Sequence, residues 1–418
     1  MGHQFALVGC GGMGRRHLRG FVELARARPG LVELAAVVDV DRERAEFVAG
    51  EVAELLGNRA AACTSIAEAK AQRPELEAAD IVTTAGTHHV AAAEALDAGL
   101  HVLVEKPLAV TMRGCARIRA AASRSGRLVS VAENYRRDPI LRLARALLDA
   151  DAIGEPRSIV ELRAGGTDAM LITPWRHFRE DGGPLMDVGV HYADMIVYLM
   201  GPVDRVAGIT RLLEPVRTTD RVDEAPSGMY ARFRADLPDT FEATAPDSLQ
   251  AMLGFASGAA GTWGLELSAP DAGSHLSAVL GSEGRLETFG VRSGRPLKVW
   301  RDGAEPLDDS EVLALATDFA LDPLTTDLFG ADRMARYDLE FPQADRKLIA
   351  LEIGELAEAI DSGKPIEVDL DAGEAAVALV LAVHESSEVG AMVTLDDVRS
   401  GRVSAYQDVT DRKLGLID

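Results

Sequence analysis

Short apolar runs and longer amphipathic runs alternate along the first third of the chain. Continuous β-rich runs at Phe5–Val8, Leu34–Val38, Ile81–Thr84, Val102–Val104 and Leu128–Val131 are separated by alanine-rich stretches at Leu18–Arg28, Glu43–Leu56, Ala91–Ala98 and Cys115–Ser125. Strands that are apolar on both faces and joined by crossover helices predict a parallel, doubly wound α/β sheet. The alternation stops near Asn134. A helical piece at Ile140–Leu148 ends at Gly154-Glu155-Pro156, and longer candidate strands follow at Arg157–Arg163, Met229–Phe233, Leu249–Phe255, Ala260–Leu267 and His275–Leu280. Strands in succession with few crossover helices predict a mixed or antiparallel sheet in an α+β second domain. The acidic stretch 301–338 reads as a surface excursion. Two amphipathic helices, about Ala344–Ile360 and Gly373–Val389, come next, and the polar end reads as a tail or arm. The expected division is therefore 1–134, 135–393 and 394–418.

Composition narrows the partners. A length of 418 residues supports two or three domains, and 47% hydrophobic with 26% charged residues is ordinary for a globular protein. The 66 acidic residues outnumber the 44 basic ones, giving a formal charge of -22. Without a Lys/Arg cluster interleaved with aromatics, so acidic a chain is a poor match for nucleic acid or an anionic membrane. Cys10, Cys63 and Cys115 lie far apart, in neither a disulfide framework nor a metal-ligand spacing, so buried thiols and no metal are expected. The chain enters a strand almost at once, and no run approaches about 18 apolar residues; a cytoplasmic protein is expected.

Two segments carry chemistry. Gly9-Cys10-Gly11-Gly12-Met13-Gly14 follows the first strand and opens a helix. Such glycines allow a tight turn, close backbone approach to a pyrophosphate and close helix–strand packing, while the helix N-terminus offers free N–H groups. Asp39 closes the second strand, placed to accept both hydroxyls of an adenosine ribose. A 2′-phosphate would meet Asp39 and Asp41, although Arg42 and Arg44 could swing towards one; NAD is expected ahead of NADP. Further on, Leu103-Val104-Glu105-Lys106-Pro107 leaves a strand at its carboxyl end, where ligands bind in open α/β sheets. A lysine there can donate to a substrate oxygen, and Pro107 fixes the turn, with a cis peptide as one option. Gly182-Gly183-Pro184 starts a helix on which Asp187, His191, Asp194 and Tyr198 share one face. An amphipathic surface helix would show water a similar stripe, yet this one holds no Lys, Arg or Glu.

On these residues the chain resembles the glucose–fructose oxidoreductase / inositol dehydrogenase (Gfo/Idh/MocA) family. The likeness runs from about Phe5 to Gly390 through the glycine turn, Glu105-Lys106-Pro107, Ala132-Glu133-Asn134-Tyr135-Arg136, Trp175-Arg176 and Gly-Gly-x-x-x-Asp-x-Gly-x-His-x-x-Asp from Gly182 to Asp194. The resemblance implies an N-terminal Rossmann domain and a C-terminal α+β domain whose large, mostly antiparallel open sheet builds homodimers or homotetramers. It also implies oxidation or reduction of a carbon–oxygen bond in a sugar, cyclitol or derivative. Carried over residue by residue, it places the catalytic group at Lys106, Asp187 and His191, with Tyr135, Arg136 and Asp194 as further substrate contacts. It places the cofactor against Gly9, Gly11, Gly12, Met13, Gly14, Asp39, Thr84, Glu105, Trp175 and Arg176. The pattern departs after the fourth strand: the family usually shows Thr-Pro-x-His-x-His, but here the segment reads Gly86-Thr87-His88-His89-Val90-Ala91. His88 and His89 are expected to start a helix and pack.

The mechanism these residues imply is reversible hydride transfer between NAD and a secondary alcohol. His191 takes the hydroxyl proton, Lys106 hydrogen-bonds the same oxygen, and Asp187 orients the pair. The resemblance also permits an NAD-dependent glycosidase that oxidises a ring hydroxyl transiently, and a noncatalytic NAD or sugar sensor. From the acidic stripe and the net charge, neutral sugars or cyclitols rank first as substrates, aminosugars second and sugar acids last, with Arg136 the candidate clamp for any carboxylate.

Overall fold

The computed structural model describes residues 2–219, 237–270, 273–301, 303 and 305–418. Its first part alternates strand and helix: β1 (His3–Val8), α1 (Gly12–Ala27), β2 (Val32–Val38), α2 (Arg42–Leu56), β3 (Ala61–Cys63), α3 (Ile66–Gln72), β4 (Ala78–Ile81), α4 (His88–Asp97), β5 (His101–Glu105), α5 (Met112–Ser125) and β6 (Val129–Ala132). The helices start and stop where local chemistry directs. Asp41 accepts from the backbone N–H groups of Glu43 and Arg44 to start α2, Thr111 caps α5, and Gly57 and Gly126 end those helices in the left-handed region. All six strands are parallel, in the order β3-β2-β1-β4-β5-β6. This is the doubly wound order, with its crevice outside the carboxyl ends of the strands where the winding reverses between β1 and β4. In this part the sequence reading misses β3 and α3, whose three and seven residues are too few to show a period.

The chain then builds α6 (Pro139–Asp149), β7 (Pro156–Ala164), α7 (Gly183–Met200), β8 (Val203–Arg211), β9 (Val216–Thr218), β10 (Thr240–Glu242), β11 (Ser248–Phe255), β12 (Ala260–Glu266), β13 (Ser274–Gly281), β14 (Arg285–Thr288) and β15 (Lys298–Trp300). After these come α8 (Asp309–Leu315), α9 (Pro323–Phe329), α10 (Phe341–Ser362), α11 (Leu370–Val389), β16 (Val393–Thr394), α12 (Leu395–Arg399) and α13 (Ala405–Lys413). Eight strands form one sheet in the order β15-β14-β13-β7-β12-β11-β8-β16, antiparallel except where β7 meets β12. One face, with Trp263 and Leu265 fully buried, packs on α7, and α11 lies so close to β8 that a Cβ on Gly208 would meet Val383 at 2.7 Å. The other face leaves Ile209, Met252, Leu276 and Leu280 exposed. The strand expected at Met229–Phe233 lies outside the described residues.

The sequence reading leaves β8, β9, β10, β14, β15 and β16 unassigned, and three further segments depart from it. The stretch 301–338 is not a mere surface excursion: it contains α8 and α9, with Val312, Leu324 and Leu328 buried. The segment from Thr394 is not a free tail. Its helices fold back so that Gln407 accepts from the Met112 N–H at 2.8 Å and Asp411 takes Arg113 at 2.6 Å. Helix α10, placed by sequence in the second domain, packs Leu348, Ile349 and Ile353 into the core formed by Phe5, Leu7 and Phe21. A Cβ on Gly20 of α1 would meet Ile349 at 2.4 Å, so glycine sets that close approach.

Candidate active site

The glycine turn has the geometry its sequence implies. Gly9 takes φ 107°, and a Cβ there would strike the Val82 carbonyl at 2.4 Å; one on Gly14 would strike Gly9 O at 1.9 Å. Nothing lies within 4 Å of a Cβ built on Gly11, so this side of the turn is open. No side chain caps the N-terminus of α1, and its first turn holds no acidic residue. Open glycine and uncapped N–H groups fit a dinucleotide pyrophosphate. Asp39 sits beyond β2, with one carboxylate oxygen accepting from Cys10 N at 2.9 Å and the other from Asp41 N at 3.0 Å. Arg44 lies 3.8 Å from it. The three thiols are free and buried, and burial together with Asp39 pushes Cys10 up to about 12.

A cavity of about 570 Å³ runs from Met13 past Thr83, Ala85 and Glu105 to Lys106, Asp187 and His191, and on to Trp175, Arg176, Arg163 and Arg292. Thr83 and Ala85 line it in place of Thr84, whose backbone caps the short turn Ala85–Thr87. The Lys106–Pro107 peptide is cis. His88 and His89 open α4 and are buried, as expected; His88 also reaches the Pro107 carbonyl at 2.7 Å and so braces the lysine turn.

At the floor of the cavity, Lys106 donates to the Asp187 carboxylate at 2.9 Å and to the Asp187 carbonyl at 2.8 Å. An ammonium has three donors, so one remains for a third oxygen. Arg176 donates to the other Asp187 oxygen at 3.0 Å while its guanidinium lies 4.3 Å from the Trp175 ring. Burial alone would raise Asp187, but Lys106 and Arg176 hold its carboxyl well below the usual carboxylate range. One turn on, the Nδ1 of His191 faces both oxygens of Glu133 at 2.7 and 2.8 Å, and its ring stacks on Tyr135 at 4.1 Å. A carboxylate at Nδ1 assigns the proton there and leaves Nε2 as the acceptor. Burial lowers the His191 pKa and Lys106 lowers it further, against the upward pull of Glu133, so the imidazole is neutral at neutral pH. Sequence alone assigns Glu133 no role. Its signal was position, since it ends a strand at the carboxyl edge as Asp39 and Glu105 do.

Two expected substrate contacts lie elsewhere. Arg136 and Asp194 bond one another, with Nε to Oδ2 at 2.8 Å; both are buried, and neither lines the cavity. Burial pushes Asp194 up to about 6 against the pull of Arg136. Arg136 also lies over Tyr198 at 4.9 Å, so the lower half of the polar stripe is an internal pair. The local charge also differs from the sequence expectation. Seven Arg and Lys side chains line the cavity against three carboxylates, although the chain as a whole carries -22.

A doubly wound nucleotide-binding domain joined to an open-sheet domain, with lysine, aspartate and histidine meeting in the cleft between them, defines a two-domain dinucleotide-dependent class of protein. The comparisons agree. Residues 3–133 match the model for the oxidoreductase family with an NAD-binding Rossmann fold, and residues 141–287 match the GFO/IDH/MocA C-terminal domain. The chain belongs to the Gfo/Idh/MocA family. Among curated relatives, it is 33% identical over 209 residues to D-apiose dehydrogenase of Paraburkholderia graminis, covering 49% of this chain and 52% of that protein. It is 27% identical over 270 residues to levoglucosan dehydrogenase of Pseudarthrobacter phenanthrenivorans, covering 61% and 65%. The chain thus spans about half to two thirds of the length of these relatives. Among solved structures, an NAD-binding oxidoreductase from Klebsiella pneumoniae matches with a TM-score of 0.74 and 25% identity over 94% of this chain and 99% of that one. Levoglucosan dehydrogenase in complex with NADH and L-sorbose shares the fold, with a TM-score of 0.74 at 22% identity over 95% and 100%. No helix among the described residues is long and apolar enough to cross a membrane.

Proposed function

We propose that this protein is an NAD-dependent dehydrogenase acting on a secondary alcohol, or the matching ketone, of a sugar-like substrate. The observation that carries this reading is the convergence of Lys106, Asp187 and a neutral, Glu133-backed His191 in one cavity that opens towards the glycine turn. The cofactor would be held by the backbone at Gly9, Gly11, Gly12, Met13 and Gly14, by Asp39 at the ribose, and by Glu105, Trp175 and Arg176 along the cleft. Bound there, nicotinamide supplies the hydride acceptor. The chain does the rest. Nε2 of His191 accepts the hydroxyl proton, and the imidazolium so formed is stabilised by Glu133. The free donor of Lys106 bonds the same oxygen and stabilises developing alkoxide charge. Asp187 fixes Lys106 and, with its negative charge, offsets a cation next to an oxidised nicotinamide. We also infer that two or more copies associate through the exposed face of the C-terminal sheet.

The test is NADH formation by the purified chain across cyclitols, aldoses, aldonates and aminosugars. Turnover is expected with at least one polyol, with NAD bound more tightly than NADP; Asp39→Ala should narrow that gap. Lys106→Ala and His191→Ala should each lower turnover by at least about 10²-fold while NAD binding survives. Near-normal turnover in either variant would show that the proton follows another path.

A further inference from the structure

The three cavity carboxylates are all engaged. Asp187 holds Lys106 and Arg176, while Glu105 accepts from His17. The Asp345 carboxylate is shared by two guanidiniums, with Arg16 at 2.6 Å and Arg292 at 3.1 Å. That accounting leaves cationic donors over in the cavity. Arg163, at the end of β7, bonds the Tyr192 hydroxyl at 2.6 Å and has no carboxylate at ion-pair distance among the described residues. Glu161, two residues back on the same face of β7, is turned to His275 at 3.4 Å. Arg292 is held with φ 63° in the left-handed region, its N–H anchored on Asp138 at 2.7 Å. Its side chain lies between the rings of Tyr135 at 5.2 Å and Phe341 at 4.8 Å, and its Nε is buried without a hydrogen-bond partner. A non-glycine residue in that conformation is held there by its surroundings, and such positions concentrate at ligand clamps.

The two guanidiniums belong together. A second, polar cavity of about 180 Å³ adjoins the first, and Arg163, Arg292, Tyr135 and Phe341 line both. The Tyr135 ring that stacks on His191 is the ring beneath Arg292, so this junction lies one aromatic ring away from the acid–base group. We propose that Arg163 and Arg292 form a subsite for an oxyanion, carboxylate or phosphate, carried by the substrate at a distance from the carbon whose hydroxyl meets His191. The subsite rests on the dehydrogenase reading and narrows it to sugar acids or sugar phosphates. This reverses the ranking drawn from net charge. Planar guanidinium donors match the two oxygens of such a group, and a cleft lined by one sign of charge concentrates the opposite sign whatever the charge of the whole molecule.

The decisive experiment compares glucose, glucuronate, gluconate and glucose 6-phosphate as substrates of the enzyme with NAD, and the same set with Arg163→Gln. Arg163 is solvent-exposed on its strand, so the variant is expected to fold, which its melting curve checks. At least one anion should exceed glucose in kcat/KM by about tenfold or more, with an advantage that shrinks as salt rises. Arg163→Gln should erase most of that advantage through KM. A preference for glucuronate or gluconate assigns a carboxylate site, and one for glucose 6-phosphate a phosphoryl site. Glucose turned over as well as every anion, or a preference unchanged in the variant, overturns the subsite. Calorimetric titration of the same three anions and inorganic phosphate into the enzyme–NADH complex tests it without turnover. Binding that weakens about tenfold in the variant supports the subsite even if the dehydrogenase reading fails, and absence of any anion binding overturns it.

Discussion

His191 owes its chemistry to what surrounds it. Burial and Lys106 favour the neutral ring, and Glu133 favours the charged one; burial dominates, so the pKa is lowered from 6.5. In the proposed dehydrogenase, alcohol oxidation would need the neutral ring, so kcat/KM in that direction should be level at neutral pH and fall only as the pH drops through a value below 6.5. Carbonyl reduction needs the protonated ring, so its rate should fall as the pH rises through the same value. Glu133→Gln removes the anion that raises His191, which moves the acid limb of oxidation to lower pH and reduces turnover by at least about tenfold, since the imidazolium loses its counter-charge. Both effects are read from paired pH profiles; a limb that does not move would mean that Glu133 only packs the ring. At this scale the sequence was informative where residue type departed from the bland pattern. A polar helix stripe without Lys, Arg or Glu pointed to Asp187 and His191, and Lys106 was marked by its place after a strand. The pairing of Arg136 with Asp194, 58 positions apart, has no local signature, so the sequence leaves only the resemblance, which assigns both to the substrate.

The elements explain why distant residues meet. Asp39, Lys106 and Glu133 each follow the carboxyl end of a strand, and the parallel order brings those ends to one edge. The Rossmann half was legible because buried parallel strands and alanine-rich helices differ so clearly in period. In the stretch 301–338 acidity masks helix signals that the sequence does carry. Asp308 and Glu311 make a capping box, and Asp322-Pro323 begins α9 with Gly330 ending it. The sheet edge is also braced from beneath by a buried cluster that sequence gave no means to foresee. His17 of α1 bonds Asp80 of β4 at 2.8 Å and Glu105 of β5 at 3.3 Å, all three being buried. Burial opposes the charge on His17, yet the two carboxylates hold its pKa well above 6.5, so its contribution to stability is complete below 6.5 and declines as the pH rises towards the folded value. Burial likewise opposes the charge on Glu105, but His17 and Lys106 bring it down to about 2, so its contribution is complete above 4.5 and is lost as the pH falls to about 2. His17→Gln should therefore cost about 3–5 kcal/mol at about pH 6, where both contributions are complete, because it strands two buried carboxylates. Denaturant unfolding measures this; a cost below about 1 kcal/mol would mean the carboxylates find other partners.

The whole molecule separates its charge from its chemistry: an acidic exterior surrounds a cleft whose lining is cationic, so net charge informs solubility more than specificity. The same separation appears in the C-terminal sheet. Strand alternation sends Trp263 and Leu265 towards α7 and leaves the opposite face to carry Ile209, Met252, Leu276 and Leu280. The pairing register lines Ile209 up with Gln250, Gly264, Leu162 and Leu276 across adjacent strands, so the exposed apolar residues sit together on one face. Ile209 is 64% and Met252 68% exposed, and burying such side chains yields roughly 1.5–3 kcal/mol each. A second copy of this chain meeting the face by two-fold symmetry, as proposed, would double every such contact and cover the sheet. Self-association is therefore expected at micromolar concentration. Ile209→Glu combined with Met252→Glu should give monomers by light scattering, because each interface would then bury four unpaired carboxylates. These side chains point away from the cavity, so the far-ultraviolet spectrum and NAD binding should persist in the double variant. A wild-type chain that is monomeric at about 100 µM, a hundredfold above a micromolar Kd, would exclude this face as a stable interface.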